Sequence, residues 1–177
     1  MEIQSFIELF KNKLDELLDT DIIIPSKRDE EYNPGDWTFL MNCIIFDMIK
    51  EYNLKNKTNL AICAEPEIGK TPNGRGGYSD LLICSHEGDQ ELIAIEHENF
   101  PYKRLSKTVQ KLSKFNAKAK LIITYYFNDY TKKEILAELK GYVTKFFPEN
   151  EVLHLLIADC ETDCGDDYLY YRIGATK

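Results

Sequence analysis

The stretch Glu91-Leu-Ile-Ala-Ile-Glu-His-Glu-Asn-Phe100 constrains this chain more than any other. Leu92, Ile93, Ala94 and Ile95 form a short apolar run with strand character, which breaks off into Glu96-His97-Glu98-Asn99. Side chains two apart on a strand share a face, so Glu96 and Glu98 point one way and His97 the other. Two carboxylates on one face at the end of a buried strand repel each other and lose hydration, a cost that a cation between them relieves. If the strand instead emerges into water at Glu96, both carboxylates are solvated and make no such demand.

A second segment bears on that choice. Asp80 lies in Gly74-Arg-Gly-Gly-Tyr-Ser-Asp-Leu-Leu-Ile-Cys84, where Leu81 to Cys84 reads as a strand. Ser85-His-Glu-Gly-Asp-Gln90 reads as the turn into the next strand. Strands joined by a short loop are antiparallel neighbours, so the start of the first lies beside the end of the second. Asp80 is therefore expected next to Glu96 and Glu98, three carboxylates at one end of one hairpin, a set suited to a hard cation such as Mg2+.

Asp80 opening one strand, Glu96-His97-Glu98 closing the next, then a basic helix and another strand: this pattern resembles the PD-(D/E)XK nuclease superfamily, which includes restriction endonucleases and DNA repair nucleases. The resemblance spans roughly residues 59–127. Two positions depart from the usual motif: Ser79 precedes Asp80 where Pro is common, and Glu98 stands where Lys is usual. The resemblance implies a restriction-endonuclease-like three-layer α/β sandwich, a mixed central sheet flanked by helices. It implies Asp80 and Glu96 as ligands of Mg2+ or Mn2+, and Glu98 as the group that orients or deprotonates the attacking water. Lys107 is the expected substitute for the cation missing at Glu98. In the same superfamily the helix before the first strand often supplies a further acidic residue; Glu51 is the one in position here, against the simpler expectation of a solvated side chain. Glu65 stands equally as a fourth carboxylate of the cluster or a strand-end charge.

The helix after Phe100-Pro101, from about Tyr102 to Asn116, concentrates the positive charge of an otherwise acidic chain. Lys103, Lys107, Lys111 and Lys114 recur at helical spacing and form one stripe, while Leu105, Val109 and Leu112 supply the buried side. A basic stripe beginning just after the carboxylates suits a phosphodiester backbone, although most such stripes are solvated helix faces. Arg75, in the Gly- and Pro-rich run Thr71 to Gly77, is a further phosphate-binding candidate.

The remaining elements follow from periodicity. Ser5 to Asp19 is an amphipathic helix, with Ser5 and Glu8 as a capping box. Trp37 to Tyr52 is a second, capped by Asp36 and bearing a wide apolar stripe. Strands are expected at Leu60 to Ala64, Lys120 to Phe127, Val152 to Ala158 and Tyr168 to Ile173, the last at a sheet edge, with a helix from Thr131 to Phe147. Strand, basic helix, strand is a crossover unit, so the strand at Lys120 should run parallel to the one bearing Glu96. Gly69-Lys70-Thr71 is no phosphate loop, because position 64 is Ala rather than the required Gly. Cys160 and Cys164, with His154 upstream, lack the second close pair that a structural zinc site wants and read as an acidic hairpin loop.

A chain of 177 residues fits one domain, residues 1–177, and 44% hydrophobic with 29% charged residues is globular composition. No apolar run approaches a membrane span and the N-terminus lacks a signal pattern, so no membrane contact and a cytoplasmic location are expected. Five Cys, three of them (Cys43, Cys63, Cys84) in apolar segments, read as small buried hydrophobes. A formal net charge of -8 argues against broad, non-specific nucleic-acid binding without excluding a local basic surface. The expectation is a metal-dependent nuclease cutting nucleic acid, DNA ahead of RNA. The alternative is a nuclease-like fold that only binds nucleic acid or a protein partner. A homodimer is left open.

Overall fold

The computed structural model describes residues 1–18, 34–64, 67–68, 77–78, 80–85, 90–99, 101–126, 130–159 and 167–175, and of 17–18, 34–37, 67–68, 77–78 and 101–103 the backbone alone. Helix α1 runs Ile3–Leu18. It buries Phe6, Ile7, Phe10 and Leu14, the recurrence of one helical face. Ser5 lies within its first turns rather than capping it, because the helix has already begun at Ile3 and the Phe6 amide bonds to the Glu2 carbonyl.

Helix α2 spans Pro34–Asn56, longer at both ends than the apolar stripe alone indicates. Pro34 at the first position loses no hydrogen bond, since that amide has no intrahelical partner anyway, and Asp36 falls inside the first turn instead of at the cap. At the far end Lys57 takes a left-handed φ of 53° and the Thr58 amide reaches back to the Asn53 carbonyl, closing the helix as a glycine usually does.

Eight strands follow in part: β1 Ala61–Ala64, β2 Glu67–Ile68, β3 Gly77–Tyr78, β4 Leu81–Cys84, β5 Glu91–Glu98, β6 Ala119–Tyr126, β7 Val152–Asp159 and β8 Leu169–Gly174. Helix α3, Pro101–Leu112, joins β5 to β6, and α4, Lys132–Phe146, joins β6 to β7. Thr131 and Glu134 cap α4 reciprocally. Six strands form one mixed sheet in the order β1-β4-β5-β6-β7-β8, parallel from β5 through β7 and antiparallel elsewhere. The crossover expected from strand, helix, strand is present, and β8 lies at an edge. The pair β2–β3 carries the β1–β4 hairpin onward: Ala64 pairs with Leu81 and, three residues along each strand, Glu67 pairs with Tyr78. Pro66 and the neighbouring glycines hide this two-residue ladder in the sequence.

Alternation sorts the sheet into two faces. Leu81, Ile83, Ile93, Ile95, Leu121, Ile123 and Tyr125 pack under α1 and α2. Leu82, Ala94, Ile122, Leu155 and Ile157 pack under α3 and α4, against Leu105, Val109, Ile135 and Leu139. The result is an α/β architecture with helices on both faces. Of the cysteines, Cys84 is buried, but Cys43 and Cys63 are exposed, the first on the outer side of α2 and the second on edge strand β1. Among the described residues no helix is long and apolar enough to cross a membrane.

Candidate functional site

The site is assembled where β4 begins and β5 ends. Leu81 pairs with Ile95, so the register continued by one residue sets Asp80 opposite Glu96. Both belong to the face under α3 and α4, since Leu82 and Ala94, the next residues of that parity, pack there. Asp80 has a second task. The Oδ2 atom accepts a hydrogen bond of 2.7 Å from the backbone amide of His97. A strand end leaves such an amide without a ladder partner, and the carboxylate supplies one.

Glu96 and Glu98 are buried on one side of β5, at 4% and 8% exposure. Burial therefore decides against a strand that has run out into water. Each carboxylate meets a group of its own on α3. Glu96 Oε2 meets the Lys111 ammonium at 2.5 Å. Glu98 Oε2 accepts from the Thr108 hydroxyl at 3.1 Å, and its backbone carbonyl accepts from Thr124 at 2.6 Å. The contact pattern, Glu98 to Thr108 and Glu96 to Lys111, means that α3 folds back antiparallel along β5.

That return path determines which lysine reaches the carboxylates. Lys107 is exposed and makes no hydrogen bond or ion pair among the described residues. The first turn of α3 overhangs the strand end, so the ammonium beside Glu96 comes from one turn later, at Lys111. Lys111 is thereby drawn out of the basic stripe and neutralised, leaving Arg104 and Lys107 exposed on α3 and Lys114 exposed in the turn that follows, since the helix ends at Leu112. The side chain of Lys103, and Arg75 and Glu65 altogether, lie outside the described residues. Glu51 points to the other helix layer: it pairs with Lys13 of α1 at 2.5 Å, and Lys13 also holds Asp47 at 2.8 Å. These partners push the Lys13 pKa above its ordinary value, the hydrogen bond to Asp47 contributing most.

The opposite face of β5 carries a polar network that sequence alone did not reveal. His97 Nε2 lies 3.1 Å from the Tyr125 hydroxyl, which accepts from the Tyr168 hydroxyl at 2.8 Å. Thr38 of α2 lies 3.4 Å from His97 Nδ1 and accepts from the Asn99 amide at 3.0 Å. The network ties the start of α2 to the end of β5, so both faces of the Glu96-His97-Glu98 triplet are anchored. A tyrosine in each of two apolar strand segments, at the parity facing α2, was the signal available for it.

Chemically the site offers two carboxylates facing each other across a ladder, a third held by a threonine, and one ammonium. Among the described residues no three His, Cys, Asp or Glu side chains are grouped to hold one metal ion, so the expected three-carboxylate set is not formed. In comparisons with protein-family models, with curated proteins and with solved structures, nothing matches this chain.

Proposed function

We propose that the chain is a Mg2+-dependent nuclease of the PD-(D/E)XK kind, with a restriction-endonuclease-like fold, acting on phosphodiester bonds in nucleic acid, DNA ahead of RNA. The observation that carries this reading is Glu96: a carboxylate at 4% exposure, opposite Asp80 at the end of a central strand, with an ammonium against it. Mg2+ usually binds through only one or two carboxylates, with waters and substrate phosphate completing its shell, so Asp80 and Glu96 are a sufficient donor pair. When bound there, the ion would polarise the phosphate and acidify a coordinated water.

The chain's own residues do the rest. Glu98, held by Thr108, accepts the proton of the attacking water as general base. Lys111 places its positive charge beside the reacting phosphate, the part usually taken by the motif lysine. Arg104 and Lys107, exposed on α3, and Lys114, exposed just after it, meet the phosphate backbone, with Lys103 and Arg75 as further contacts.

A second reading is a nuclease-like domain that binds without cutting. It is favoured by the fact that Lys111 already neutralises Glu96 and Asp80 already serves the His97 amide. The test is cleavage of single-stranded, double-stranded and branched substrates with Mg2+ or Mn2+. Glu96→Gln and Asp80→Asn should abolish cutting; Asp80→Asn retains an acceptor for the His97 amide and therefore the fold. No cleavage by the wild type, together with no rise in melting temperature on adding Mn2+, selects the binding-only reading.

A further inference from the structure

At the opposite end of the sheet from Glu96, where β6 and β7 begin, lies a cavity of about 270 Å3 lined by Lys118, Lys120, Asn150, Glu151, His154 and Arg172. Three of these side chains are cationic and one is a carboxylate, on a chain of formal net charge -8. Lys120 is the deepest, at 2% exposure, with its ammonium 5.2 Å above the Phe147 ring and paired with Glu151. The one carboxylate of the lining is thus already matched. Lys118 and Arg172 are exposed and make no ion pair among the described residues.

His154 completes the lining. Its Nδ1 is 2.7 Å from the Tyr170 hydroxyl, and the two ring planes are nearly parallel, at 6°. Nε2 makes no hydrogen bond among the described residues. Burial, and then the Arg172 charge, hold the imidazole pKa down at about 4, so the ring is neutral near pH 7.

We propose that this cavity is an oxyanion site for a phosphate group, with Lys118 and Arg172 supplying charge and His154 Nε2 and Asn150 supplying hydrogen bonds. The two unmatched cations balance the two charges a phosphate monoester carries near neutral pH, whereas a carboxylate would leave one unbalanced. Guanidinium and ammonium recognise phosphate in the complementary ways expected of a fork and a point charge. The volume, just below the range of roughly 300–1,000 Å3 usual for drug-sized ligands, has room for a phosphate and a small group that it esterifies. The inference is independent of the nuclease proposal, because none of the lining residues belongs to that site.

The test uses the whole chain and two probes, inorganic phosphate and glycerol phosphate, with acetate and chloride as controls at equal ionic strength. The His154 C2 proton is followed by NMR through a pH titration. Tyr170 and Arg172 of β8 lie beside that ring, Lys118, Lys120 and Glu151 line the same cavity, and Gln4 of α1 touches Tyr170. Phosphate should shift the His154 signal and raise its titration midpoint, because the anion offsets Arg172. Arg172→Gln should raise the midpoint without any ligand. Lys118→Gln or Arg172→Gln should each weaken phosphate binding about tenfold, the loss of one charged contact of about 1.4 kcal/mol. The proposal is overturned if neither phosphate probe moves the His154 signal more than chloride does. A phosphate response that survives in the Lys118→Gln/Arg172→Gln double variant, or one equalled by acetate, overturns it as well.

Discussion

Replacing Lys111 with methionine isolates the electrostatics on which the β5 site rests. The ammonium lies 2.5 Å from Glu96 Oε2, and the two side chains are 27% and 5% exposed. Opposite unit charges about 4 Å apart attract by about 4 kcal/mol at an effective dielectric constant of about 20, the value suited to pairs near a surface. Removing one partner of a buried pair generally costs about 3–5 kcal/mol, because the other charge is left stranded. The part of Lys111 that reaches water lowers that figure, so Lys111→Met should cost about 2–4 kcal/mol. Urea unfolding at pH 7 measures this as a lower midpoint with unchanged slope. Glu96→Gln added to Lys111→Met removes the stranded charge and should bring stability back to within about 1 kcal/mol of wild type. Mn2+ should raise the melting temperature of Lys111→Met more than that of the wild type, since a metal cation then takes the place of the lost ammonium. A loss below about 0.5 kcal/mol in Lys111→Met, or a double variant no more stable than the single, would refute the reasoning.

Three further outcomes are expected. His154 is held neutral with a folded-state pKa of about 4, below its ordinary 6.5, so the unfolded chain takes up the proton first. Its contribution is therefore complete above about pH 6.5 and lost as pH falls toward about 4, a change of roughly 3 kcal/mol that His154→Gln should remove from the pH–stability curve. Tyr125→Phe deletes the hydroxyl between His97 and Tyr168 and should cost about 1–3 kcal/mol by chemical unfolding, because two buried polar groups lose a shared partner. Lys57→Gly should stabilise the chain by about 0.5–1 kcal/mol despite its more flexible unfolded state, since Lys57 occupies a left-handed φ; an unchanged thermal midpoint would remove strain at that position from the account.

The sequence alone determined the order of the longer elements, though not the two-residue strands β2 and β3, and the division of β5 into two faces, because both depend on periodicities of a single chain. A strand places alternate residues on opposite faces wherever it sits, so Glu96 and Glu98 part from His97 before any packing is known. A short turn between Cys84 and Glu91 makes the two strands antiparallel neighbours, and that brings Asp80 to Glu96. Pairings between separate elements were decided only by the tertiary structure. Lys103, Lys107, Lys111 and Lys114 are equivalent in the helical pattern; the rotation of α3 on the sheet, and the length of chain used to turn back from β5, bring Lys111 to Glu96 and leave Lys107 exposed. Lys120 opens a strand in the sequence, and only the packing of inner strand β6 against α4 buries it beside Phe147 and Glu151. Glu51 falls at a helical position that serves either layer, and only the docking of α1 gives it to Lys13. The cavity between β6, β7 and β8 joins Lys118, Asn150 and Arg172, residues far apart in the chain, because parallel β6 and β7 begin at one end of the sheet and antiparallel β8 ends there.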